Sequence, residues 1–347
     1  MESLKELSAQ LEEHTYHALP CLSYSILARY EREGGFKSLP ENWKDLWQPC
    51  PETEALLIGS AVDCLVTAEG DREEAFNKEF IVADIDRIPD KTRQVVDTMV
   101  ERGIRWEDTN AIADILDEIG FYPNWKLNTR ISKITEGDAG RYYYHRNLAK
   151  ESGKRILSSG MYDTVLRCVK NLESNELTNY LLWGKLPDHQ ERFFQLQFTT
   201  IIGGVDYKIM CDMIIVDHKK KSIHIYDLKT SSKESYEFKQ SYLEWGYHIQ
   251  SWLYRIVLKD FLCFYPEYDG YSVDEFSFIV TSKSNNTPLV YDDKSEISHT
   301  KPWLRNPLDI GQEIFDSYEE EVSKDCYVRK SIPTNFSSKF TNSIEFK

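Results

Sequence analysis

Residues 205–229 read VDYKIMCDMIIV, DHKKK, SIHIYDLK: two apolar, β-branched runs around a short charged link. The composition and period-two alternation are those of strands, and Asp217-His218-Lys219-Lys220-Lys221 is the length and polarity of a hairpin turn. On a strand, side chains two apart share a face. Lys208, Met210 and Asp212 therefore face one way on the first run, and Asp227 and Lys229 share a face at the end of the second. A tight connection sets Asp212 beside Asp227. Two carboxylates converging on one point repel unless a cation lies between them. The pair is thus a candidate Mg²⁺ or Mn²⁺ site, with Lys229 placed to orient or deprotonate an attacking water. The competing reading is a solvated strand-end ion pair, which is common and weakly coupled. Against it, Asp227 closes an apolar run and is followed by Thr230-Ser231-Ser232.

Upstream, RFFQLQFTTII (192–202) is a third strand joined through Gly203-Gly204, so the three runs form a meander. Downstream come an amphipathic helical segment from about Phe238 to Asp260, a strand at FSFIV (276–280) and a helix at 309–325. Residues 1–35 read as two helices separated by His17–Leu22, followed by a polar loop to about residue 50. Glu54–Ala68 spaces its apolar residues as a mostly buried helix, and residues 90–180 read as helices broken at Gly120–Pro123 and Thr135–Gly140. The order predicts an α/β core with an N-terminal helical elaboration. It is expected as a single domain over 1–347, mainly helical over 1–185 and sheet-containing over 186–347.

The 42 basic against 57 acidic side chains give a net charge of −15, which argues against nonspecific coating of nucleic acid. Any positive charge for such a substrate must be confined to a cleft. With 41% hydrophobic residues and only 16 Gly and 12 Pro, the chain is neither fibrous nor disordered. The seven cysteines (21, 50, 64, 168, 211, 263, 326) include no CxxC pair, so a disulfide framework or cysteine zinc site is not expected and a reducing cytoplasm fits. No apolar run reaches 18 residues and MESLKELSAQLEEH is acidic and amphipathic rather than a signal peptide, so a cytoplasmic protein without membrane contact is expected. No Gly-rich phosphate loop is present, so no ATP is expected.

Asp212, then Asp227-Leu228-Lys229-Thr230, then Tyr247-His248-Ile249-Gln250 with Tyr254 resemble the PD-(D/E)XK nucleases, and within them the RecE-like and λ-type exonucleases of phage recombination. Three further segments are similar in the same order: Tyr16–Ser25 resembles the N-terminal entry motif, Leu57–Leu65 the metal-binding helix, and Arg155–Tyr162 the linker into the helix before the sheet. The resemblance implies a restriction-endonuclease-like core, a mixed β-sheet flanked by helices. Its metal would be held by Asp63, Asp212, Asp227, the Leu228 carbonyl and Gln195. Asp212, Asp227, Lys229 and Gln250 would be catalytic, and Ser23, Ser25, Lys208, Tyr247 and Tyr254 would meet DNA. Tyr247, Gln250 and Tyr254 recur at i, i+3 and i+7 and line one helix face, with Gln250 near the scissile phosphate and Tyr254 behind it.

Two positions depart from the family pattern: Asp63 stands where a histidine is usual, and Gln195 where a glutamate is usual, with Gln197 on the same face and Glu191 in an alternative register. Together the changes leave the summed ligand charge unaltered and keep oxygen donors suited to a hard cation. The cysteine cluster of iron–sulfur members is absent. The resemblance further implies 5′ to 3′ digestion of linear duplex DNA, 3′ tails for a single-strand annealing protein, and a ring-like homo-oligomer whose channel carries Lys208, Lys229, Lys233 or Lys239. A catalytically silent module binding DNA ends or protein, and a structure-specific endonuclease, are the alternatives. Removal of either Asp212 or Asp227 is expected to relieve repulsion and raise the melting temperature of the metal-free protein.

Overall fold

The computed structural model describes residues 2–34, 52–85, 88–233, 237–284, 287–293 and 304–324. The polar loop expected to about residue 50, with Cys50, and Cys326 lie outside these residues, as does the end of the expected 309–325 helix.

The chain divides into two compact units, Met1–Pro51 with Asn175–Lys347, and Glu52–Ser174. The first begins with α1 (Leu4–Leu7), α2 (Glu13–Ala18) and α3 (Tyr24–Arg32). The second holds α4 (Glu54–Thr67), α5 (Arg72–Glu79), β1 (Phe80–Ala83), α6 (Asp90–Glu101), α7 (Thr109–Glu118), α8 (Leu127–Thr135), α9 (Gly137–Ser152), β2 (Arg155–Ser158) and α10 (Ser159–Ser174). The first unit resumes with α11 (Glu176–Trp183), β3 (Gln190–Ile202), β4 (Val205–Asp217), β5 (Ser222–Ser231), α12 (Phe238–Glu244), α13 (Tyr247–Leu262), β6 (Ser272–Ser282), β7 (Leu289–Asp292) and α14 (Pro307–Lys324).

The expected change from helices to sheet near residue 185 falls at β3, but the single domain expected is divided into two units along other lines. Leu4, Leu22, Leu27, Ala28 and Tyr30 share one core with sheet residues such as Phe198, Ile209, Ile225 and Phe276. A separate core of Val95, Met99, Ile112, Leu116, Phe121 and Ile134 belongs to the second unit. The N-terminal helices go with the sheet because their apolar faces have no other cover, while residues 52–174 bury enough apolar surface to pack on themselves. The fragment Arg155–Ser158 pairs in parallel with Phe80–Ala83 there.

The main sheet runs β3-β4-β5-β6-β7. β3/β4, β4/β5 and β6/β7 are antiparallel and β5/β6 is parallel, the crossover being α12 and α13. This is the expected mixed sheet flanked by helices. The long segment after β5 is two helices rather than one. Gly246, at φ +68°, turns the chain between them, and a Cβ there would press on Ile249 at 3.3 Å.

Three helices, rather than two, precede residue 35. Residues 8–11 leave helical geometry to cover the outer edge of β3: Ala9 N–H and the Ser8 hydroxyl both donate to the Gln197 carbonyl, and the Gln197 side chain bonds both backbone groups of Leu11. An edge strand left bare would invite pairing with another chain.

β4 is longer than its pairing with β5, which ends at Met213↔Tyr226. Beyond that point Leu22 takes the vacated side, donating to the Asp206 carbonyl at 2.8 Å and accepting from Lys208 N–H at 2.9 Å. Lys208 is almost fully buried, and its ammonium donates to the carbonyls of Tyr16, His17 and Leu19, each at 2.9 Å. It closes the C-terminal end of α2. The expected DNA contact by Lys208 thus gives way to a structural one, because its three donors are spent on backbone oxygens. Burial lowers its pKa.

Lys208→Met should cost about 2–3 kcal/mol, since charge-assisted bonds to buried carbonyls are lost together. Urea unfolding of parent and variant measures this as a lower midpoint.

Candidate active site

Continuing the β3/β4 register, in which Phe194 faces Met213 and Leu196 faces Cys211, sets Gln195 across from Asp212. Continuing β4/β5 from Met213↔Tyr226 sets Asp212 across from Asp227. Regular pairing stops at this row. The sheet forks, β5 continuing with β6 through Asp227↔Phe278 and Lys229↔Val280 while β4 stays with β3. At the fork the Asp212 carboxylate accepts the Leu228 N–H at 2.7 Å. A side chain thus takes over where backbone pairing ends, and the two aspartates meet as the strand alternation requires.

Asp227 is 3% exposed. Its Oδ1 accepts from Gln250 Nε2 on α13, and its Oδ2 lies 2.5 Å from the Lys229 ammonium. The buried Oε1 of Gln250 has no hydrogen-bond donor. Burial pushes the Asp227 carboxyl pKa up against the opposing pull of Lys229 and Gln250. For Lys229, burial works against the charge, but Asp227, with Tyr247, Tyr24 and Asp212 around it, outweighs burial and holds the ammonium above its usual range. Lys229 also lies over the Tyr247 ring at 5.1 Å. Mutual repulsion of the carboxylates is thus already answered by Lys229 and by Leu228 N–H.

The donor set suits a hard divalent cation. Two carboxylates and the Leu228 carbonyl are oxygen donors of the kind such a cation takes, and the buried Oε1 of Gln250 has no hydrogen-bond donor. Among the described residues no three His, Cys, Asp or Glu side chains gather as a ligand cluster, so Asp212 and Asp227 would hold the ion with backbone, amide or water oxygens. Asp63 stands half-buried on α4, in the other unit.

Gln195 sits at φ +53°, a left-handed backbone rare for a side-chain-bearing residue and directly in the carboxylate row. Gln197 is spent on Leu11, and Glu191, facing Val216 four residues away, bonds His218 at 3.1 Å. The alternative register through Glu191 is therefore excluded from the row. Gln250 positions Asp227 rather than reaching outward, being 2% exposed. Tyr254 is buried with its ring edge-to-face on Phe276, which corrects the expected DNA contact: it packs behind the site. Tyr247 is half-buried beside Lys229, while Ser23 and Ser25, at the start of α3, bond each other at 2.9 Å. His248 is a packed helix residue whose pKa burial lowers to about 4.

Two supports escaped the sequence reading. Tyr24 lies against Tyr247 and donates its hydroxyl to the Trp245 carbonyl at 2.8 Å, tying α3 to the turn before α13. Asp293, fully buried, accepts from Tyr242, Ser251 and Arg255 and locks α12 and α13 to the end of β7. Separations of 221 residues for Tyr24 and of 38 to 51 for Asp293 hide both from local pattern.

Residues 36–288 match the family described as a PDDEXK-like domain of unknown function (DUF3799). The chain belongs to this family. With it come the PD-(D/E)XK nuclease superfamily and its α/β core, in agreement with the forked mixed sheet. No curated protein matches the chain. Among solved structures it is similar to a protein from Eubacterium rectale described as a "putative exonuclease", at 14% identity and a TM-score of 0.41, over 95% of this chain and 98% of that one.

Mg²⁺ or Mn²⁺ should raise the melting temperature of the parent and leave Asp227→Asn unmoved, by differential scanning fluorimetry. In chelator, Asp227→Ala should melt lower than the parent, because Lys229 loses its buried partner; this reverses the stabilisation expected from repulsion alone. Gln195→Gly relieves the left-handed backbone, worth about 1 kcal/mol, so it should keep or raise stability while a calorimetric titration reads what its side chain gives to metal affinity.

Proposed function

We propose that the protein is a divalent-metal-dependent deoxyribonuclease acting as an exonuclease on linear duplex DNA, of the RecE-like and λ-type kind. The observation that supports it is the convergence of Asp212, Asp227 and Lys229 at the row where the sheet forks. A divalent ion bound there supplies charge stabilisation and an activated water. Asp212 and Asp227 hold it, Asp212 being fixed by Leu228 N–H and Asp227 by Gln250. Lys229, paired with Asp227 and braced by Tyr247, orients the nucleophile and offsets negative charge growing on the phosphate. Gln250 acts through Asp227 and is a positioning residue. Gln195 and the Leu228 carbonyl complete the ligand set that this unit supplies in this reading. Among the described residues no helix is long and apolar enough to cross a membrane.

The same reading takes digestion as 5′ to 3′, leaving 3′ tails for a single-strand annealing protein. The working form is a ring-like homo-oligomer in which encirclement gives processivity. With Lys208 withdrawn into the fold, Lys229, Lys233 and Lys239 are the channel candidates, and Lys233 pairs with Glu244 at 2.7 Å.

End-labelled linear and covalently closed circular DNA, incubated with Mg²⁺, Mn²⁺ or chelator, test this. Linear DNA should be degraded from its 5′ ends only with metal, and circles should survive. Asp212→Asn and Asp227→Asn should abolish cleavage, Lys229→Met should lower kcat ~10²–10³-fold, and Gln250→Ala ~10–100-fold. Cleavage of circles would transfer the assignment to an endonuclease; end binding without cleavage would make the chain a silent module. A monomer by light scattering at working concentration would remove the ring.

A further inference from the structure

The stretch from Ile119 to Thr135, IGFYPNWKLNTRISKIT, has no acidic residue in a chain of net charge −15, and carries Lys126, Arg130 and Lys133 beside three aromatics. It belongs to the Glu52–Ser174 unit. Tyr122 and Trp125 stack there almost parallel, centroids 4.4 Å apart at 14°, although they are 38% and 45% exposed. Hydrophobic burial does not account for that pair. Tyr122 is held at φ +43°, a costly backbone for an aromatic residue. Its ring meets the fully buried Phe121 edge-on at 4.6 Å, and Trp125 N–H donates to the Tyr122 carbonyl at 2.9 Å. The loop is fixed from below as well. Arg130, buried, donates to the Phe121 carbonyl and to Asp117, each at 2.7 Å. The stack is thus a rigid, solvent-facing platform anchored in the core rather than a loop tip.

Trp125 also forms one wall of an open cavity of about 520 Å³, with Ile88, Pro89, Thr129 and Lys133. The volume is that of a small-molecule-sized site. Of the carboxylates on its rim, Asp138 is paired with Arg141, while Glu136 accepts the Ser132 hydroxyl and keeps its charge. Lys126 and Lys133 are exposed.

From this arrangement we infer that the Glu52–Ser174 unit carries a binding site for single-stranded DNA, with a base stacked on Trp125 and the flanking phosphates met by Lys126 and Lys133. Flat aromatic faces combined with cations are what an unpaired strand requires. A base offers a π-face whatever its identity, while phosphates need positive charge. A duplex, its bases already stacked, gains nothing from the exposed face. The choice of DNA over RNA rests on the nuclease reading above; the site itself does not.

The test is fluorescence anisotropy of 5′-labelled dT20 with the full chain in chelator, so that no cleavage intervenes. Trp125→Ala should weaken binding at least fivefold and Trp125→Phe much less. Lys126→Glu with Lys133→Glu should weaken it and flatten its salt dependence. Because Trp125, Lys126 and Lys133 are exposed, these variants should retain the parent melting temperature and the parent rate on a short duplex. Parent-like dT20 binding by both Trp125→Ala and the double lysine variant would overturn the site, and tighter binding of rU20 than dT20 would overturn the assignment to DNA. Loss of cleavage in the parent with dT20 binding intact would sink the nuclease reading alone.

Discussion

The Asp212 carboxylate accepting the Leu228 N–H is the contact on which the candidate site depends. At this row β4 and β5 cease to pair, and an unsatisfied amide in a buried sheet would be costly. The side chain answers the amide and so lets the strands part without loss. Where the strands part, Lys229 pairs with the buried Asp227 and α13 brings Gln250 alongside. A site for a charged substrate needs an opening in an otherwise closed ladder, and the polar residue that bridges the opening is itself one of the candidate metal ligands.

The rest of the first unit braces that opening. Leu22 fills the side of β4 that β5 leaves, Lys208 fastens the preceding helix end, and Gln197 holds residues 8–11 against the sheet edge. Behind α13, Asp293 draws Tyr242, Ser251 and Arg255 together. Each is a buried polar group whose partners are backbone or side chains far away in sequence. Such groups add rigidity only when fully satisfied.

The second unit follows a different logic. Its core is apolar and its own, and its most distinctive surface is an aromatic pair kept in water by a strained backbone. Strain and exposure together oppose folding, so their retention points to what the surface meets rather than to what it supports.

The sequence by itself determined β3 to β6 and the facing of Asp212, Asp227 and Lys229, because period-two alternation fixes which side chains share a face once two runs are joined by a short turn, while the short β1, β2 and β7 were not legible in it. It also marked the helix carrying Gln250 and the PD-(D/E)XK superfamily. Only the tertiary structure decided the fates of residues whose partners are distant. Lys208 and Tyr254 share faces with site residues yet turn inward, Gln197 rather than Gln195 is spent on the N-terminal segment, and Glu191 falls outside the row. Residues 1–34 join the sheet while 52–174 form their own core, a division that local helical pattern does not contain. Periodicity reports the direction of a side chain; whether that direction leads to solvent, a carbonyl or another side chain depends on which segments, remote in sequence, pack against it.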